Sequence, residues 1–152
     1  MDAIEALTED HRAVNRAFLQ YEDLAPGAAA DRREAVEEIK RRLAWHAATE
    51  QQFLHPLIIE VVPDGQGWIA NEINGLRGIT GMLRALAMSP VESDAFDAQV
   101  RELIVHVRQH MESEEQSLFP LLRGVVDRAR LTELGNAINT ARDAERSTTP
   151  VA

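Results

Sequence analysis

One segment of this chain occurs twice, and it constrains the fold more than any average property does. His46-Ala-Ala-Thr-Glu50-Gln-Gln-Phe-Leu-His-Pro56-Leu recurs as His110-Met-Glu-Ser-Glu114-Glu-Gln-Ser-Leu-Phe-Pro120-Leu. Both copies read H-x3-E-x5-P, with His, Glu, Gln, Leu, Pro and Leu in matching places. On a helix, residues four apart share a face about one turn apart. Each copy therefore aims an imidazole and a carboxylate at one point. Ile39 and Leu43 lead into His46 and Glu50 on an apolar stripe that Leu54 and Leu57 continue. Leu103 and Val107 lead into His110 and Glu114 in the same way, with Leu118 and Leu121 beyond. Four polar residues thus fall on faces expected to be buried, where an unpaired carboxylate is costly. A bound cation is the simplest way to satisfy all four. The alternative is a buried hydrogen-bonded network without metal, which needs every member satisfied.

Composition narrows the remaining choices. A chain of 152 residues fits one domain and can bury a proper core. Aromatics are only 5% and β-branched runs are few, which favours helix over sheet. A formal net charge of −9 argues against nucleic acid, which needs a basic stripe, and against anionic membrane surfaces. The absence of Cys excludes disulfides, thiolate metal sites, iron–sulfur clusters and thiol catalysis. No early apolar run resembles a signal peptide and no stretch approaches a membrane span, so the cytoplasm is the expected location.

The periodicity predicts four long amphipathic helices and a shorter fifth. The first covers about 2–24, with Leu7, His11, Val14, Phe18 and Tyr21 in register, and Pro26-Gly27 ends it. The second covers about 31–62, its opening charges pairing Glu37 with Arg41 and Glu38 with Arg42 on a solvated face. Pro56 should kink it or begin a new segment, and Pro120 should do the same in the fourth. The third covers about 68–88, carrying Glu72, Leu76, Ile79, Leu83 and Leu86, with Gly75, Gly78 and Gly81 lowering its propensity. The fourth covers about 93–126 and the fifth about 131–144. The expected fold is all-α: an up-down-up-down four-helix bundle with a short additional C-terminal helix, a single domain over residues 1–146 and a disordered tail over 147–152.

If the two hairpins repeat, the first helix has its counterpart in the third. His11-Arg-Ala-Val then aligns with Leu76-Arg-Gly-Ile, a His in one half against a Leu in the other. A symmetric site would hold four His and two Glu, whereas this chain supplies His11, His46, His110, Glu50 and Glu114. Glu72, one turn before Leu76, and His106, one turn before His110, are the two candidates for the gap. In an antiparallel pair Glu72 moves towards the level of Glu114 and His106 away from it, which favours Glu72. His106 then reads as a support for a carboxylate or carbonyl, His55 as packing in the place of Phe119, and Trp45 and Trp68 as core or interface residues. Gln51 and Glu115 read as outer or rim residues.

Leu7-Thr-Glu-Asp-His11, the two H-x3-E-x5-P segments and the closing Leu131-Thr-Glu-Leu-Gly-Asn-Ala-Ile together resemble the hemerythrin-like family, the HHE cation-binding domain. The likeness covers nearly the whole chain. It implies a four-helix bundle holding two non-haem irons, with Glu50 and Glu114 as bridges and His11, His46 and His110 as terminal ligands. The third-helix His of the family is absent at Leu76. In the oxygen-carrying members a third-helix ligand resembles the upstream position of Glu72.

Imidazole and carboxylate ligands suit iron, and also manganese or zinc, rather than calcium or magnesium. A site with fewer His and more carboxylate than an oxygen carrier should favour Fe(III). The reading that follows is a non-haem di-iron protein that reacts with or senses oxygen, peroxide or nitric oxide. Two others stand beside it: a metal-poor bundle serving as an interaction or stress module, and an oxidase of a small organic substrate lodged beside the third-helix glycines.

Overall fold

The computed structural model describes residues 1–148, and these residues form helices with short connections. Helix α1 spans Ala3–Glu22, α2 Ala29–Thr49, α3 His55–Val61, α4 Gly65–Ala87, α5 Asp94–Ser113, α6 Phe119–Val125 and α7 Arg128–Thr148. The second and fourth helices expected from sequence are composite rods. α2 continues into α3, and α5 into α6, each through one wide π turn, at Glu50–Leu54 and Glu114–Leu118.

Pro56 and Pro120 explain the wide turns. In a regular α-helix each would leave a carbonyl without its donor and press its ring against the preceding turn. A kink or a new segment was the expectation. A new helix does begin at each, and the join admits an extra residue: the His55 N–H bonds to the Glu50 carbonyl and the Phe119 N–H to the Glu114 carbonyl. Each proline then lies in the first turn of the next helix, where its missing N–H is of no consequence. Both π turns open on the repeated glutamate. Such turns are rare elsewhere and frequent at functional sites.

Two apolar clusters fill the bundle, with polar side chains in the layer between them. α1 presents Ile4 and Leu7 to one cluster, then His11, then Val14 and Phe18 to the other. The composite rod of α2 and α3 meets them in reverse, with Ile39 and Leu43 first, His46 and Glu50 next, and Leu54 last. In α4 the order is Ile69, Glu72, Leu76 and Ile79, and the composite rod of α5 and α6 reverses it again with Leu103 and Val107 before Glu114 and Leu118. Each rod thus crosses one shared polar layer. Burying each Leu, Ile or Phe on either side contributes about 1.5–3 kcal/mol.

Specific contacts fix how the rods meet. Asp2 and Glu5 form a capping box at the start of α1, each side chain bonded to the other's backbone N–H at 2.9 Å. The Tyr21 hydroxyl donates to Asp97 Oδ1 at 3.0 Å, joining α1 to α5. Arg108 of α5 reaches Glu22 at 2.7 Å and Asn15 at 3.0 Å, and its guanidinium lies 5.6 Å from the Phe18 ring centroid.

The structure departs from the sequence reading in some particulars. Glu37 pairs with Lys40 at 3.1 Å rather than with Arg41, and both Arg41 and Arg42 reach Glu38. α4 begins at Gly65, directly after Asp64 in the left-handed region at φ 60°. α7 is longer than expected at both ends. Asp127 caps its start by accepting from the Arg130 N–H at 2.9 Å, and Gly135 brings its middle against the chain start. A Cβ at Gly135 would lie 2.3 Å from the Met1 carbonyl oxygen. Ser147 and Thr148, expected in the tail, belong to the last turn of α7, and 149–152 lie outside the described residues. No described helix is long and apolar enough to cross a membrane.

Candidate metal centre

Six side chains converge in the polar layer. His11, His46, Glu50 and Glu114 each bring a ligand atom within 4.8 Å of the others, and so do Glu50, Glu72, His110 and Glu114. Glu50 and Glu114 belong to both groups. Glu50 Oε1 lies 2.9 Å from His46 Nε2, and its other oxygen 3.6 Å from His110 Nε2. Glu114 Oε1 lies 3.1 Å from His11 Nε2 and 3.6 Å from His110 Nε2. Glu72 Oε2 stands 3.7 Å from His110 Nε2.

The closest of these pairs lie at ion-pair distance, yet the atoms do not meet in hydrogen-bond geometry. Nε2 of His11, His46 and His110, both oxygens of Glu50 and Glu114, and Oε2 of Glu72 are buried without a hydrogen-bond partner. The alternative of a satisfied polar network requires each of them to be hydrogen-bonded, and even the close His46–Glu50 and His11–Glu114 pairs lack that geometry. Buried polar groups are bonded in the great majority of structures. Atoms that converge on a common space instead of on one another are the donor set a cation takes up, so the residues fit a metal.

Protons take the cation's place in the metal-free cluster. Burial opposes charge on His46, but the Glu50 and Asp10 carboxylates outweigh it and push the imidazolium up to about 10. His11 goes the other way, held down to about 3 by burial and by the neighbouring His46. Burial and the Glu50 charge hold Glu114 well above the usual carboxylate range. Glu50 lies well below it, because the His46 charge outweighs the cost of burial. Glu72 is raised, chiefly by burial. Negative charge therefore sits on Glu50 beside the His46 cation, while Glu114 is biased towards its neutral form beside a neutral His11.

The sequence profile of the hemerythrin HHE cation-binding domain matches residues 2–122. The chain belongs to that family. Its fold is also that of a crystal structure of an HHE cation-binding domain-containing protein from Mycobacterium kansasii, with a TM-score of 0.85 over 97% of this chain and 89% of that one. The two are 19% identical, so the likeness shows the fold alone. No curated protein matches the chain in sequence.

In this HHE domain the third-helix position of the missing histidine is Leu76, which is buried in the apolar cluster with Ile79 and Met111. His106 stands outside both groups, its Nε2 donating to the Gly75 carbonyl at 3.4 Å. Of the third-helix glycines Gly75, Gly78 and Gly81, the first two lie against imidazoles, while Gly81 faces open space. A Cβ at Gly75 would meet His110 Nδ1 at 2.7 Å, and one at Gly78 would meet His106 Nε2 at 2.9 Å. The two imidazoles fill that space. Phe119 stacks on His11, and His55, its counterpart in the first copy, is buried with Nε2 unpartnered. Trp45 lines a groove between α1, α2 and α7, and Trp68 lies against the apolar cluster that contains Leu7.

One residue of the centre was missed in sequence. Asp10 is buried, and its Oδ2 accepts from His46 Nδ1 at 2.9 Å. The signal was present in the Asp10-His11 pair, but adjacent helical residues face different ways. Asp10 serves the histidine of another helix.

Proposed function

We propose that this HHE domain is a non-haem di-iron protein that reacts with or senses oxygen, peroxide or nitric oxide. The observation that carries the reading is the position of Glu50, whose two oxygens face His46 on one side and His110 on the other, with none of these atoms in hydrogen-bond geometry. His11 and His46 would hold one iron, and His110 and Glu72 the other, with Glu50 and Glu114 placed to be shared between the two groups. Imidazole with carboxylate suits iron, with manganese and zinc as competitors. Bound iron supplies a change of oxidation state and a coordination position for a small molecule.

The chain's own residues set the rest. Leu76 offers no lone pair, so the second position has one imidazole where the first has two, and it is the more open side. His110 and Glu72 retain slight exposure there, whereas Glu50 and Glu114 are sealed. Apolar clusters on both faces of the layer limit water. Three carboxylates against three imidazoles stabilise the higher metal charge, which favours peroxide or oxygen chemistry and sensing over reversible carriage.

The buried polar atoms without hydrogen bonds weigh against a metal-poor interaction module, and the imidazoles packed at Gly75 and Gly78 weigh against an organic substrate lodged there. Metal analysis and a visible spectrum of the purified protein test the reading. Iron near two per chain with ferric absorption supports it, and a colourless, metal-free protein that takes up no iron refutes it.

A further inference from the structure

The two halves of the centre differ behind the histidines as well as in front of them. In the first half, the buried Asp10 carboxylate holds His46 Nδ1 at 2.9 Å while Nε2 faces Glu50 at the same distance. In the register that sets His11 against Leu76, Asp10 falls against Gly75. Gly75 lies at the corresponding nitrogen, since a Cβ there would be 2.7 Å from His110 Nδ1. The same place thus holds a carboxylate in one half and no side chain in the other. Among the described residues, no carboxylate pairs with His110 Nδ1.

We propose that Asp10 is a positioning residue that makes the position between His11 and His46 the tight, lasting metal site. The position built on His110 is the exchangeable one. This rests on the metal reading above. The bond to Asp10 keeps the Nδ1 proton in place, leaves the Nε2 lone pair for the metal and prevents the ring from turning. Outer partners of this kind commonly account for about 10–100-fold in metal affinity. His110 has no such partner and loads last.

Anaerobic titration of the metal-free protein with Co(II), followed by calorimetry and by the visible cobalt bands, tests the assignment. Wild type should bind in two steps of unequal affinity. Asp10→Ala should weaken the tighter step about 10–100-fold and shift the bands of the first equivalent. Asp10→Asn, which keeps an acceptor for the Nδ1 proton at nearly the same volume, should lose less and serves if the alanine variant does not fold. Gly75→Ala, which crowds His110, should weaken the second step alone. An unchanged tight step in both Asp10 variants overturns the proposal, as does an equal loss at both steps. Wild-type protein that binds no cobalt would instead overturn the metal reading on which it rests.

Discussion

Phe119 lies flat on His11, with ring centroids 5.6 Å apart and planes inclined by 18°. The contact joins the turn after Glu114 to α1 and places the apolar cluster containing Leu7 directly against the polar layer. Phe119→Ala should therefore cost about 3–5 kcal/mol in urea unfolding of the metal-free protein. Loss of Phe119 also frees the His11 ring, so metal affinity should fall as well. A variant that unfolds with wild-type stability would show that the stack does not hold the layer.

The gap at residue 76 makes a second prediction. Leu76→His should restore the symmetric ligand set, tighten the second metal and alter the visible spectrum. Glu72→Ala should lower metal content towards one per chain, and the double variant should recover it. Two tightly held metals in Glu72→Ala would remove Glu72 from the ligand set. No change in affinity or spectrum on Leu76→His would mean that residue 76 does not reach the centre.

A third prediction concerns pH and lies away from the centre. Burial and the bond to Asp97 push the Tyr21 hydroxyl up to about 12. The raised value means that the folded state holds the proton that the unfolded chain gives up near pH 10. Stability from this group is complete below pH 10 and is lost as pH rises through about 12. Tyr21 is the single tyrosine of the chain, so phenolate absorbance follows it without ambiguity. Tyr21→Phe should cost about 0.5–1.5 kcal/mol near neutrality and lack the added alkaline loss. Phenolate absorbance that rises near pH 10 in the folded protein would contradict the burial argument.

Loading the centre should release protons, because ligands must be deprotonated to bind. His46, up at about 10, holds a proton at neutral pH, and the upward shift of Glu114 favours its protonated form. Metal affinity should consequently rise with pH. Calorimetry in buffers of different ionisation enthalpy should give a net release, and no dependence on buffer would contradict the protonation pattern. Bound metal should also add about 2.7 kcal/mol at a hundredfold excess over its dissociation constant. Loaded and metal-free protein melting together would refute that.

The convergence of His46, Glu50, His110 and Glu114 was legible because a four-residue spacing on an apolar stripe has one geometric meaning. His11 followed from the hairpin symmetry, and Glu72 from antiparallel packing of the third and fourth helices. What escaped the sequence depends on contacts between rods. The prolines were read as a kink or the start of a new segment, and the π turn itself escaped, because a proline announces a broken hydrogen bond without saying how the chain repairs it. Gly75 and Gly78 looked like weak helix formers, and only the approach of the His110 and His106 rings shows why a side chain is missing there. The extent of α7 was underestimated because Leu131, Leu134 and Ile138 mark the middle of the helix and not its ends.

The central claim is that six side chains hold two metals between them, with Glu50 and Glu114 shared. Its most direct test is metal content per chain for wild type, Glu50→Ala, Glu114→Ala and Glu112→Ala, purified together without added metal. Glu112 is exposed and belongs to neither group, so it serves as the control. The account predicts about two metals in wild type and Glu112→Ala, with a large loss on changing either Glu50 or Glu114. Equal metal in all four proteins, or none in any, would contradict it.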